Sequence, residues 1–399
     1  MRIGRPFKKS HKRVEPQHIA VFGQSGSGKT VLLSSFYGSM QEDEKLKNYP
    51  FRVNAVNGTP GAILHGNYLG MKRSNKVPPP NRFKVTNYAF SVPMKPGAKA
   101  ESQDASLLLL WDDYPGDWFE DGVSGPVEEK RRDETLRSLI NADLAFVLVD
   151  AAQLLENKGE EERYLKGLFT SLRNTLTNFA NAMDAKGKLL KKGPRTWILA
   201  LSKADLIPEM DVVEFRDLVI EKAYTDVEAL KEQLRAMYES PEALSFGEEF
   251  LLLSSAKFKP GEIDVSKQIG VDLILPLAAS LPMKNLQKWT ERKLLNQKKF
   301  AEHTKKIADQ FVINSNIIDR TTKALAGKNL KKLKPVIEIA SFVAGTIPWA
   351  ALAQEGTEKL DKNIQDNLED NNFLSATIHL FAKTIKEAVE QRIYLSSDR

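Results

Sequence analysis

A chain of 399 residues exceeds what one compact core holds, so a large domain with an extension is expected. It has no cysteine, which excludes a disulfide framework, a thiolate metal site and a thiol nucleophile and points to a reducing, cytoplasmic home. The net charge of +6 is modest for this length and argues against nucleic acid as the main partner.

The first fourteen residues, MRIGRPFKKSHKRV, carry six basic side chains and no acid, so residues 1–16 read as a solvated, disordered basic arm. They lack the apolar run of a secretory leader. From Ile19 to about Leu281, apolar runs alternate with segments of helical spacing. The runs are HIAVF, FKVTNYAFSV, SLLLLW, LAFVLVD, TWILALS and FLLLSS. Most show no alternation, as strands covered on both faces should not. The expected fold is therefore α/β, a doubly wound and mostly parallel sheet. FKVTNYAFSV does alternate and is bracketed by proline and glycine, which suits an edge strand. A helical insert is expected at about 153–191, where Leu165, Leu168, Leu172, Leu176 and Phe179 share a face.

Between the first run and a helical pattern stands GQSGSGKT, in which Gly23, Gly28, Lys29 and Thr30 fit G-x-x-x-x-G-K-[ST]. A strand, a glycine-rich turn and a helix in that order aim backbone N–H groups and a helix N-terminus at one anion. Residues Gly23, Gln24, Ser25, Gly26, Ser27, Gly28, Lys29, Thr30 and Val31 are the expected phosphate-binding stretch. The lysine ammonium suits the terminal phosphates and the Thr30 hydroxyl suits Mg2+. In WDDYPGDW, Asp113 and Gly116 form D-x-x-G at the end of the third run; the acid can hold Mg2+ through water and the glycine N–H can turn to a γ-phosphate. In TWILALSKADLIP, Ser202, Lys203 and Asp205 follow the fifth run, where a carboxylate can accept from the N1–H and exocyclic amine of guanine. FLLLSSAKF ends the sixth run with Ser255, Ala256 and Lys257, where a backbone N–H can reach the guanine oxygen.

With these four motifs in this order, the stretch from Val14 to Leu281 resembles the TRAFAC-class GTPases and their Ras-like G domain. The resemblance implies a six-stranded sheet with one antiparallel strand, GTP as substrate, GDP as product and Mg2+ as cofactor. It implies that Lys29 and Thr30 serve phosphate and metal, and that Asp113 and Gly116 form the second switch. Asp205 would read the base, Lys203 would pack on it and brace the phosphate loop, and Ala256 would meet the base oxygen. The sequence departs from the family at three places. Ser202 stands where the family has Asn or Thr. Asp117 stands where Ras-like members often place a glutamine that orients water, so hydrolysis is expected to be slow. No first-switch threonine is assignable among Thr59, Asn81 and Thr86.

The five histidines are scattered without metal-ligand spacing. Trp118 and Phe119 follow the second-switch motif and are candidate partner contacts. Residues 282–399 read as an all-α domain. One long helix carries Phe300, Ile307, Phe311 and Ile318 on a stripe, and a last helix carries Leu374, Ile378, Phe381, Ile385 and Val389. Ile339 to Gln354 is too short for a bilayer span and reads as a buried hairpin, with a membrane-surface or oligomer contact at Trp349 as the alternative. The expected function is a slow Mg2+-dependent GTPase switch acting through its helical domain on a protein partner or a second copy. The alternatives are a nucleotide-holding scaffold, a dynamin-like GTPase peripheral to a membrane, and an ATPase.

Overall fold

The computed structural model describes residues 17–79, 86–93, 106–113, 116, 132–134, 136–138, 140–184, 195–238, 244–259, 262–281, 355–370 and 373–396. In chain order the first elements are β1 (Gln17–Phe22), α1 (Lys29–Ser39), α2 (Asp43–Asn48), β2 (Asn54–Ala55), α3 (Gly58–Ser74), β3 (Thr86–Pro93) and β4 (Ser106–Asp113). Next come β5 (Leu144–Asp150), α4 (Ala151–Glu156), α5 (Glu161–Asp184), β6 (Arg195–Ser202), α6 (Val212–Met237) and β7 (Leu244–Leu253). A short hairpin, β8 (Lys257–Lys259) and β9 (Glu262–Asp264), precedes a helix over 274–281. After residue 354 come α7 (Thr357–Glu369), α8 (Phe373–Glu390) and β10 (Tyr394–Ser396).

Strands with apolar side chains on both faces must be covered on both faces, and β5 and β6 are buried along their whole length. The main sheet has eight strands in the order β10-β7-β6-β5-β1-β4-β3-β2. From β4 to β7 every pairing is parallel, while β3, β2 and β10 are added antiparallel at the two flanks. All six strands expected from the apolar runs are present, and two short ones extend the sheet beyond the expected six. Because the central strands run the same way, their carboxyl ends share one rim, which is where an open α/β sheet binds ligands.

One apolar layer, under α5 and α6, contains Leu165, Leu168, Leu172, Leu176 and Phe179 together with Trp197 and Phe215. Phe22 stacks on Trp197 with ring centroids 4.6 Å apart. The expected insert at 153–191 is thus, over the residues described, the crossover between β5 and β6, and its apolar stripe covers the sheet. The other layer lies under α1, the 274–281 helix and α8. Residues between α1 and β3 form α2, β2 and α3, elements for which the sequence supplied no expectation. Thr59 falls in the exposed first turn of α3, and Thr86 opens β3 opposite Asp113.

The C-terminal helical region is present as α7 and α8, and Phe381 of the expected stripe packs on Phe51 at 5.3 Å. The structure adds what the all-α reading lacked. The chain ends its last helix at the sheet, where β10 pairs with β7 and Leu252 N–H donates to Ile393 O at 2.9 Å. Tyr394 Oη donates to Glu249 inside this junction, and Ser396 Oγ donates to the same carboxylate at 2.9 Å. Residues 355–396 therefore share a core with the sheet. The basic arm, Asn81, Asp117, Trp118, Phe119, the long helix around Phe300 and the stretch 339–354 lie outside the described residues.

Candidate functional site

The phosphate-loop motif occupies the turn out of β1. Gly28 closes it in the left-handed region at φ 91°, where a Cβ is disfavoured, and is the residue from which α1 starts. The orphan N–H groups of the first turn of α1 therefore face the mouth of the loop. Lys29 lies across the loop, its Nζ donating to Gly23 O at 2.7 Å and Gln24 O at 3.0 Å. The Ser27 hydroxyl is buried without a hydrogen-bond partner among the described residues.

Asp113 ends β4 next to this turn. Thr30 Oγ1 donates to Asp113 Oδ2 at 3.0 Å and lies 3.2 Å from Oδ1. A hydroxyl and a carboxylate so close are two hard oxygen donors, a set that suits Mg2+. Burial pushes the Tyr88 phenol above its usual range, and the neighbouring Asp113 carboxylate adds to the effect. Gly116 lies directly on the loop. A Cβ there would come within 2.5 Å of Ser25 N and 2.6 Å of Ser25 Cα, so only glycine permits the approach.

The base motif occupies the turn out of β6. Ser202 Oγ donates to Val149 O at 3.3 Å, tying β6 to β5. Lys203 sits in the left-handed region at φ 55°. The resemblance implies that this lysine packs on the base and braces the phosphate loop; its Nζ donates to Asp150 Oδ2 at 2.7 Å, so the ammonium is held at the end of β5. The reason is that Asp150 is a buried, fixed acceptor. Its Oδ1 caps α4 by accepting from Ala152 N at 2.9 Å, and its own N–H donates to Tyr164 Oη at 2.9 Å. Burial raises the pKa of that phenol.

Asp205 is oriented from β7 and β8. Its Oδ1 accepts from Ser254 Oγ at 2.6 Å and its Oδ2 from Phe258 N at 3.0 Å. The same Ser254 hydroxyl lies 2.6 Å from Ala256 O, and with one proton it serves one of the two acceptors at a time. Ser255 faces the cavity described below. The Ala256 side chain is buried with Tyr68 and Met71 of α3. Lys257 opens β8 with an exposed side chain.

These two turns share one cavity of about 330 Å³, lined by Gly26, Gly28 and Val31 on one side and by Lys203, Asp205 and Ser255 on the other. The structure thus brings together the loop, Thr30, Asp113, Gly116 and the base motif at one rim. The sequence missed Asp150, Ser254 and Phe258. A strand-ending aspartate in LAFVLVD signalled the first, and the doubled serine of FLLLSSAK left open which hydroxyl meets Asp205. Nothing local marked Phe258, whose contribution is a backbone N–H.

A family model described as Double-GTPase 2 matches residues 17–249, a span that contains the phosphate loop, Asp113, Gly116 and Asp205. No curated protein matches the chain. Among solved structures, the chain is similar to Roco2 RocCORdC of Methanosarcina barkeri bound to GDP. Identity is 10%, coverage is 98% of this chain and 99% of that one, and the TM-score is 0.24. A member of an oligomerised bacterial dynamin pair, described in the long-range sensing and tethering of membranes, is similar at 14% identity. Coverage there is 96% and 69%, with a TM-score of 0.23.

Proposed function

Because this chain belongs to the Double-GTPase 2 family and is a GTP-binding P-loop protein, we propose that it is a slow, Mg2+-dependent GTPase that signals its nucleotide state through its C-terminal helices. The observation that carries the reading is the single cavity lined by both Gly26–Gly28 and Asp205. One end presents the phosphate loop, across which Lys29 lies, and the other offers a carboxylate to a base edge.

On binding, Lys29 exchanges the carbonyls of Gly23 and Gln24 for phosphate oxygens, so its charge is never left bare. Thr30 and Asp113 would hold Mg2+, which when bound neutralises charge on the phosphate oxygens. Gly116, already against Ser25, brings its peptide N–H to the γ-phosphate, and Asp117 orients the attacking water. Asp205 accepts from the guanine N1–H and amine, with Ser254 and Phe258 N–H holding its carboxylate in place. The signal passes along β7, which ends beside Ser254 and Ser255 and carries on its outer flank β10, the strand that follows α8. A protein partner or a second copy would receive it. Among the described residues no helix is long and apolar enough to cross a membrane. The cytoplasmic location in this reading rests on a chain without cysteine, and a peripheral membrane contact is compatible with it.

Single-turnover hydrolysis of GTP tests this. Phosphate release is expected on the order of 10⁻⁴ to 10⁻² s⁻¹, the range of Ras-like sites acting without a partner. Chelating Mg2+ or making Thr30→Ala should lower it roughly 100-fold, and a titration should favour GDP over ADP. Release indifferent to Mg2+, or tighter ADP, would refute the proposal. Tight GDP with no release at all would leave the scaffold reading in its place.

A further inference from the structure

The β8–β9 hairpin follows Ser255 and Ala256 directly and is gripped from both flanks. Phe258 and Ile263 face each other across it. Phe258 N–H leaves the hairpin on one side to reach Asp205 Oδ2 at 3.0 Å, and Ile263 N–H leaves on the other to reach Asn75 Oδ1 at 2.9 Å. This is the behaviour of a non-hydrogen-bonded antiparallel pair, whose N–H groups point outward and need partners elsewhere. One partner is the proposed reader of the base, and the other is the C-cap residue that follows Ser74 at the end of α3.

Asn75 is held firmly enough to serve as an anchor. It stands in the left-handed region at φ 51°, which asparagine tolerates better than most side chains, and Lys76 N–H closes the helix end on Gly70 O at 3.1 Å. Beneath the clasp, Ile263, Val265 and Ala256 pack with Tyr68 and Met71 of α3. Phe258 and Val77, the latter two residues beyond Asn75 and 52% exposed, both line the cavity. A hairpin with three residues in each strand does not hold its shape alone, so its geometry is set by these flanking contacts.

We propose that Asn75 is a positioning residue for base recognition: through Ile263 and Phe258 it fixes the direction in which Asp205 presents its carboxylate to guanine. The inference rests on reading Asp205 as the guanine acceptor. With the Asn75 acceptor removed, Ile263 N–H turns to water, the hairpin relaxes from α3, and the Phe258 N–H that orients Asp205 Oδ2 is no longer held in place.

The test uses the full chain and the variants Asn75→Gly and Asn75→Asp. Glycine keeps the left-handed backbone and deletes the acceptor, whereas aspartate restores an acceptor. The probes are GDP, IDP, which lacks the exocyclic amine, and pyrophosphate, which lacks the base. Asn75→Gly is expected to weaken GDP about tenfold, the scale of one lost hydrogen bond, to weaken IDP less, and to leave pyrophosphate unchanged. Asn75→Asp should stay within about twofold of the parent for all three. An unchanged GDP-to-IDP ratio in Asn75→Gly, or a proportional loss of all three probes, overturns the positioning role. If the parent chain itself fails to prefer GDP over IDP and ADP, the assignment of Asp205 falls and this inference falls with it.

Discussion

Asp205→Asn is expected to weaken GDP about 100-fold or more in a calorimetric titration and to strengthen xanthosine diphosphate. The carboxylate accepts only, which matches the two donors on the guanine edge. An amide would point its NH₂ at one of those donors, leaving a buried pair of hydrogens with no acceptor. Xanthine carries a carbonyl in place of the guanine amine and so accepts what the amide gives. The internal contacts fix which way the amide turns: its oxygen accepts from Phe258 N–H and its NH₂ faces Ser254 Oγ, whose proton then goes to Ala256 O. Unchanged GDP affinity would remove the base assignment.

The second large effect concerns the C-terminal helices. Phe381→Ala is expected to destabilise the protein by about 3 to 5 kcal/mol, the usual cost of deleting a buried phenyl ring. In a domain of this size that lowers the thermal midpoint by roughly 6 to 15 °C. The ring is 4% exposed and meets Phe51 edge-on at 68° between planes, so its loss opens a cavity in the layer beneath α1. Thermal unfolding followed through a bound fluorescent guanine nucleotide gives the decisive reading. If α7 and α8 were a module apart, the nucleotide-linked transition would not move.

Much of this was legible in the sequence where the signal was local. Six buried strands announced themselves as apolar runs, and GQSGSGKT specified its loop because glycine, lysine and threonine each answer a separate demand of a phosphate. Legibility failed where a partner lay far along the chain. The resemblance implies that Lys203 packs on the base and braces the phosphate loop; it says nothing of the bond from Nζ to Asp150, whose position depends on Tyr164 from another helix. The three residues of β10 have no pattern of their own and become a strand only because β7 offers them a flank. α3 was missed for a different reason. Its segment contains Gly58, Gly61, Gly66 and Gly70, which dilute the helical signal, and its packing against α1 and the hairpin supplies what propensity does not.

The closure of β7 by β10 orders events during synthesis. Tyr394 and Glu249 meet across 145 positions of chain, so a ribosome must finish well over a hundred further codons after making β7 before that side of the sheet is sealed. Through that interval Leu251 and its neighbours present bare peptide groups, a template for stray pairing with other nascent chains. Sealing of this edge thus waits on residues 394–396, and dependence on chaperones should concentrate in the window between β7 and β10.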